Sequence, residues 1–165
     1  MLVRFNSEMR RIMGNALDNL DALQCELPPA FVAQLKQMRI VEIEGAVVVE
    51  NASGWDDSFV NDLTGLECFV NHYHIDRPGD GSLRASAIAG IVAAKEFKRM
   101  IEATGIPGDF RVIVSANYNP DPDPPFNGAV VRFHKIRPNN SWLDHDLEAY
   151  KYEGILTIDW TNPVE

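Results

Sequence analysis

The chain has 165 residues and a formal net charge of −9, from 15 basic and 24 acidic side chains, and 45% of its residues are hydrophobic. This length suits one domain, and the hydrophobic fraction excludes global disorder. The acidic balance disfavours nucleic acid and anionic lipid as partners, because a phosphate-binding surface must be cationic. We therefore expect one globular domain over residues 1–165, with either a basic protein as partner or a charge that serves only solubility.

Cysteine usage and hydropathy predict a cytoplasmic protein. Cys25 and Cys68 are far apart and form no Cys-x-x-Cys motif, which favours free thiols in a reducing compartment. Residues 1–13 mix charged with apolar side chains and lack the pattern of a signal peptide. No stretch approaches the roughly 20 apolar residues of a membrane span.

The first half of the chain mixes helix and strand signals. Asn6 or Ser7 can cap a first helix, in which apolar residues recur at helical spacing from Met9 to Leu23. A second, short helix follows the proline pair that ends at Pro29. Residues 40–50 predict a β-hairpin, and alternation over residues 65–75 predicts a strand inside the sheet.

The second half contains the clearest helix and three further strands. Ser82 can cap a helix that runs to Thr104, and Gly105 is placed to end it. Its many small residues would allow close approach to a sheet. Strands are predicted at residues 110–116, 129–136 and 152–160, with a proline-rich loop at 117–127 and an irregular or short helical stretch at 142–150. The order predicts an α+β fold, with about six strands in a mostly antiparallel or mixed sheet covered by two or three helices.

The histidines belong to one candidate metal site. Side chains alternate along a strand, so His72 and His74 share one face, and Cys68 would share it too. Together with His134 or His145 this set could bind zinc. A pair alone supplies too few ligands, and a stripe of hydrogen-bonded histidines is the preferred interpretation, so we predict no cofactor.

Motifs of known chemistry are incomplete. The chain lacks a Gly-x-Ser-x-Gly nucleophile elbow, and its turn at 77–82 lacks the residues of a phosphate-binding loop. The loop that begins at Asn119 resembles the start of a calcium loop, but it has Pro124 and Val130 where glycine and glutamate are required. Catalysis by a small hydrolase or metal-dependent enzyme, using His72, His74 and nearby carboxylates, remains the alternative function.

Acidic side chains concentrate in two segments. Residues 42–80 contain nine acids and one base, and residues 139–165 contain six acids and one base. Each segment includes a tryptophan beside clustered carboxylates, a combination that can anchor and dock a basic partner. The predicted partner-binding residues are Trp55, Asp56, Asp57, Asp62, Trp142, Asp144, Asp146, Glu148 and Glu153.

One part of the chain resembles a known class of proteins. Residues 131–138, 141–143, 146–148 and 155–159 are similar to the C-terminal part of some bacterial immunity proteins, which neutralise polymorphic or contact-dependent growth inhibition toxins. The resemblance implies a small protein that binds a cognate toxin, often a basic nuclease, and blocks its active site. We therefore predict an acidic inhibitory protein, and not an enzyme, as the first hypothesis.

Overall fold

The computed structural model describes residues 1–50, 62–76, 81–119 and 126–163. These residues form an α+β fold, as predicted. In chain order the elements are β1 (Leu2–Phe5), α1 (Ser7–Met13), α2 (Pro29–Gln37), β2 (Ile40–Ile43), β3 (Ala46–Val49), α3 (Leu63–Val70), β4 (His72–Asp76), α4 (Leu83–Thr104), β5 (Gly108–Asn119), β6 (Phe126–Lys135) and β7 (Gly154–Asn162). The main sheet has five of these strands, and not the six predicted, because β2 and β3 form a separate hairpin. Its order is β1-β7-β5-β6-β4, and every neighbouring pair is antiparallel.

Helix α4 has the predicted bounds. The Ser82 hydroxyl accepts a hydrogen bond from the Ala85 amide, and Gly105 ends the helix with a left-handed φ of 70°. The helix lies against β5 and β6. At Gly90 the approach is so close that an added Cβ would lie 2.8 Å from Val114 Cγ1, which confirms that small residues allow close contact with the sheet.

The predicted strand over residues 65–75 is wrong in its first part. Residues 63–70 form helix α3, which begins where the Asp62 side chain accepts a hydrogen bond from the Gly65 amide. The apolar residues of this segment fit the spacing of either a helix or a strand. In the helix that forms, Leu66 and Val70 pack against the β2–β3 hairpin. Only residues 72–76 form a strand, so Cys68 does not share a strand face with the histidines.

The N-terminal region also differs from its prediction. Helix α1 begins as expected, with the Asn6 side chain accepting from the Met9 amide, but it ends at Met13 because Gly14 adopts a φ of 58°. A run of 3₁₀ turns, Gly14–Ala22, continues the chain. Strand β1 was not predicted, and it pairs with β7 at the edge of the sheet.

The two faces of the main sheet have different chemistry. The apolar face is covered by α1, α2 and α4, and Phe97 of α4 is fully buried there against Tyr73 and Phe133. The polar face is covered by α3 and by residues 136–150, here called the covering segment. By register, the polar face presents Leu2, Arg4, His72, His74, Arg111, Ile113, Ser115, Val130, Arg132, His134, Ile155, Thr157 and Asp159.

Candidate functional site

Charged side chains lie in a row across the polar face. Asp159 of β7, Arg111 of β5 and His134 of β6 occupy paired register positions. The Arg111 guanidinium donates two parallel hydrogen bonds of 2.7 Å to the two carboxylate oxygens of Asp159, the strongest geometry for such a pair. Arg4 of β1 joins more loosely, with its Nη2 atom 4.0 Å from Asp159 Oδ2.

His134 is buried beside this pair, with 1% of its surface exposed. Its Nδ1 atom lies 3.0 Å from the Lys135 carbonyl oxygen, which can only accept, so Nδ1 carries the proton. Burial lowers the pKa of His134 to about 4, and the neighbouring Arg111 acts in the same direction. At neutral pH the ring is therefore uncharged, and its Nε2 atom, which has no hydrogen-bond partner within the described residues, presents a lone pair.

A second ion pair fixes the start of the covering segment. The side chain of Glu67 in α3 is fully buried, and both its oxygens accept hydrogen bonds from Arg137, at 2.7 and 2.8 Å. The same carboxylate accepts from the amides of Val47 and Lys135. The hydrogen bonds between Arg137 and Glu67 raise the pKa of Arg137. Together with the two amide bonds, they join α3, the hairpin and the main sheet. The role of this network is structural.

The middle of the covering segment is held by apolar contacts. Leu143 and Leu147 are buried against Ile113 and Ile155 of the sheet and Cys68 of α3. Cys68 is 1% exposed, and burial raises the pKa of its thiol, which disfavours the thiolate form that a nucleophile needs. Leu143 and Leu147 therefore anchor the covering segment to the sheet, while Asp144, Asp146 and Glu148 are exposed.

The acidic residues of this region are exposed and held in place. Asp144 Oδ1 accepts from the Asp146 amide at 2.9 Å, and Asp146 Oδ1 accepts from the Glu148 amide at 3.0 Å. Glu148 Oε1 accepts from the Ser7 amide at 2.9 Å, at the start of α1. Glu153 is half-buried. Three of the four predicted carboxylates of this segment thus lie together on an exposed surface.

Two large aromatic residues flank these carboxylates in sequence. Trp142 is 42% exposed and Tyr152 is 90% exposed. The Arg132 guanidinium lies 6.0 Å from the centre of the Trp142 ring, which restrains the indole. We call five exposed residues of this stretch, which also contains the exposed His145 and Lys151, the acidic ridge: Trp142, Asp144, Asp146, Glu148 and Tyr152.

The first acidic segment meets the second at Asp62. The Asp62 carboxylate accepts from the Asn140 side-chain amide at 2.8 Å as well as from the Gly65 amide, and these bonds lower its pKa. Asp62 is exposed but is occupied as a helix cap. Trp55, Asp56 and Asp57 lie outside the described residues.

The histidine pair does not form a metal centre with other described residues. His72 and His74 are exposed on the polar face, with ring centroids 5.6 Å apart. His72 Nδ1 contacts the Phe69 carbonyl oxygen. Within the described part of the chain, no three residues among His, Cys, Asp and Glu come close enough to hold a metal ion. The prediction that Cys68, His134 or His145 completes a zinc site therefore has no geometric support.

A polar cleft lies between the polar face and the covering segment. Its volume is about 460 Å³, within the range of small-molecule sites. Sequence patterns did not predict its sheet residues as a group, although charged and polar residues alternate with apolar ones at Arg111, His134 and Asp159. The charged and titratable side chains that line it are Arg4, Arg111, His134, Arg137, Asp144, His145 and Asp159.

A model of the Uncharacterized protein PM0498 family matches residues 4–164. The chain belongs to this family. None of the curated proteins and none of the solved structures compared with this PM0498-family chain matches it. No helix in the described ranges is both long enough and apolar enough to cross a membrane.

Proposed function

We propose that this PM0498-family chain is an acidic binding protein that inhibits a basic protein partner, as toxin-immunity proteins do. The observation that carries the proposal is the acidic ridge, in which three carboxylates and two exposed aromatic residues occupy one fixed segment. Aromatic anchors with surrounding polar groups are typical of protein interfaces. The net charge of −9 would accelerate the encounter with a cationic protein.

The order of the ridge supports binding over simple solvation. A charged side chain that is already held in place loses less conformational entropy on binding than a free one. Asp144, Asp146 and Glu148 each use one oxygen in a backbone hydrogen bond, which leaves the other for a lysine or arginine of the partner. Leu143 and Leu147 hold the backbone beneath them.

The test uses a variant that removes charge and keeps geometry. Asp144→Asn, Asp146→Asn and Glu148→Gln together retain the side-chain oxygens that accept the backbone hydrogen bonds but remove three negative charges. The matched control, Asp21→Asn, Glu26→Gln and Glu102→Gln, removes three charges from exposed positions elsewhere. All three proteins serve as bait in host lysate at low salt, and any captured protein is identified, purified and assayed for its own activity with and without the chain.

We expect the original chain and the control to capture and inhibit a basic protein, with an affinity that falls as salt rises. The ridge variant should bind it at least about tenfold more weakly, chiefly through slower association. Equal affinity of the ridge variant and the control would contradict the assigned surface, and a captured protein whose activity is unchanged by the chain would contradict the inhibitory function.

A further inference from the structure

An apolar groove separates helix α2 from helix α4 on the apolar side of the main sheet. Its volume is about 590 Å³, within the range of small-molecule sites. Six half-buried apolar side chains line it: Leu27, Val32, Leu35, Met38, Val92 and Met100. We call this cavity the α2–α4 groove, and the sheet separates it from the acidic ridge.

The groove exists because α2 is attached to the core at one point. Phe31 is the one buried residue of this helix, and its ring packs edge-on against Tyr73 and Phe97, at centroid distances of 6.4 and 6.2 Å. Val32 and Leu35 therefore remain partly exposed, although both are apolar.

The facing wall comes from α4. Val92 and Met100 lie eight residues apart, a spacing that places them on one side of the helix, next to the fully buried Phe97 and Ile101. Both are half-buried. Apolar surface on two facing helices thus stays in contact with water, and an apolar ligand between them would remove it from water.

The charges that line the groove are positive on balance, in a chain whose net charge is −9. Lys36 and Arg99 line it, and Glu96 is the one carboxylate among the lining residues. Arg99 donates two hydrogen bonds to Glu96 Oε2, at 3.1 and 2.8 Å, so these two charges compensate each other. Lys36 is exposed and makes no ion pair with any described residue.

A further cation lies near Cys25, which also lines the groove. Lys95 Nζ donates to the carbonyl oxygens of Asp21 and Leu23, at 3.5 and 3.1 Å, and these neutral acceptors leave its charge uncompensated. Partial burial raises the pKa of the Cys25 thiol, and the charge of Lys95 acts in the opposite direction. The carboxylates closest to Cys25 in sequence, on Asp21 and Glu26, are exposed and do not line the groove.

We propose that the α2–α4 groove binds a small amphipathic carboxylate, with its apolar chain between the two helices and its carboxylate paired with Lys36. One unpaired ammonium matches one monovalent carboxylate, and Lys95 adds attraction at longer range. The segment of Cys25 and Leu27 supplies a third wall, which suits a small molecule better than a helix of a partner. The site does not depend on the protein partner proposed above.

Cys25 provides a direct readout of occupancy. Its thiol is exposed, while Cys68 is 1% exposed, so iodoacetamide should alkylate Cys25 alone in the folded chain. The alkylation rate is measured by mass spectrometry during titration with octanoate, hexanoate, octan-1-ol and acetate at constant pH. The methyl signals of Met38 and Met100 are followed in ¹H–¹³C spectra of the same titrations.

Four variants separate the ion pair from the apolar wall. Lys36→Gln removes the proposed ion pair, and Lys151→Gln, at an exposed position outside the groove, is its control. Val92→Thr places a hydroxyl in the apolar wall with little change of volume, and Val41→Thr does so at a half-buried position elsewhere. Urea denaturation checks that all four variants fold.

We expect octanoate to slow the alkylation of Cys25 saturably, with a Kd of about 1 mM or lower, and to shift both methionine methyl signals. Hexanoate should bind about tenfold more weakly, because it buries two fewer methylene groups. Octan-1-ol should bind about threefold more weakly, because it forms no ion pair, and acetate should not protect the thiol.

The variants should divide in the same sense. Lys36→Gln should lose the preference for octanoate over octan-1-ol while Lys151→Gln keeps it, and Val92→Thr should weaken octanoate binding more than Val41→Thr does. Octan-1-ol binding as tightly as octanoate, equal affinities of Lys36→Gln and Lys151→Gln, or alkylation of Cys25 that no probe slows would overturn the proposal.

Discussion

The two faces of the main sheet are covered by different kinds of contact. On the apolar face, α4 contributes small residues and Phe97, and the contact is so close that Gly90 has no room for a side chain. On the polar face, ion pairs and short apolar contacts hold a segment with little regular structure, and a cleft remains between them. The first face is a continuous apolar core, and the second combines charged groups with smaller apolar contacts.

This difference predicts how each face responds to substitution. Dense apolar packing gives large losses of stability when volume is removed. Ionic contacts give losses that depend on which partner remains, because an unpaired buried charge costs more than the pair contributes. Three experiments use this contrast, beginning with the apolar face.

The largest effect is expected for Phe97→Ala. This ring is fully buried and lies 5.0 Å from Tyr73 and 5.2 Å from Phe133, centroid to centroid. Its removal should reduce the free energy of unfolding by about 4 kcal/mol, measured by urea denaturation. Phe69→Ala, at a position that is 47% exposed, is the control and should cost less than about 1 kcal/mol; similar losses for both would show that α4 is not the main core helix.

On the polar face, Arg137→Gln should be next in size. The substitution leaves the fully buried Glu67 carboxylate without a cation, at a cost of about 3 kcal/mol. Adding Glu67→Gln to that variant should restore part of the stability, since no charge is then left unpaired. A double variant less stable than Arg137→Gln alone would indicate that hydrogen bonds, and not charge, dominate this network.

The third effect is the pH dependence contributed by His134, which is smallest at neutral pH and grows on acidification. Its pKa is about 4 in the folded chain and near 6.5 when unfolded, so between these values the unfolded state binds the extra proton. Stability should therefore fall as the pH is lowered from about 6.5 to 4, by up to about 3 kcal/mol. Denaturation across this range should show a shallower slope for His134→Gln, and parallel curves would contradict the burial of a neutral ring.

Sequence patterns predicted elements whose signals are local. The Ser82 cap and the Gly105 stop predicted the bounds of α4, and the hairpin predicted over residues 40–50 is observed as β2 and β3. The apolar residues of 63–70 fit the spacing of a helix and of a strand. The helix is favoured because Asp62 caps it and because Glu67 is buried against Arg137, a partner 70 residues away in the chain. No local pattern contains that information.

The two candidate sites also differ in how far local sequence could predict them. Asp144, Asp146 and Glu148 were predicted as a cluster because they are close in sequence, and the structure keeps them together on an exposed surface. Arg4, Arg111, His134 and Asp159 come from four strands, and only strand order and register bring them into one cleft. Single residues in separate strands give no such signal before the topology is known.

The pairing of β1 with β7 has a kinetic consequence. Asn6, which follows β1, accepts from the amide of Ile155, 149 residues later, and β1 itself pairs with β7. This strand therefore gains its sheet partner only after residues 154–162 have been synthesised. Contacts this distant in sequence form slowly, and an edge strand of four residues is among the first to detach. Because Arg4 lies on β1, its contact with Asp159 depends on a pairing that forms slowly and opens early.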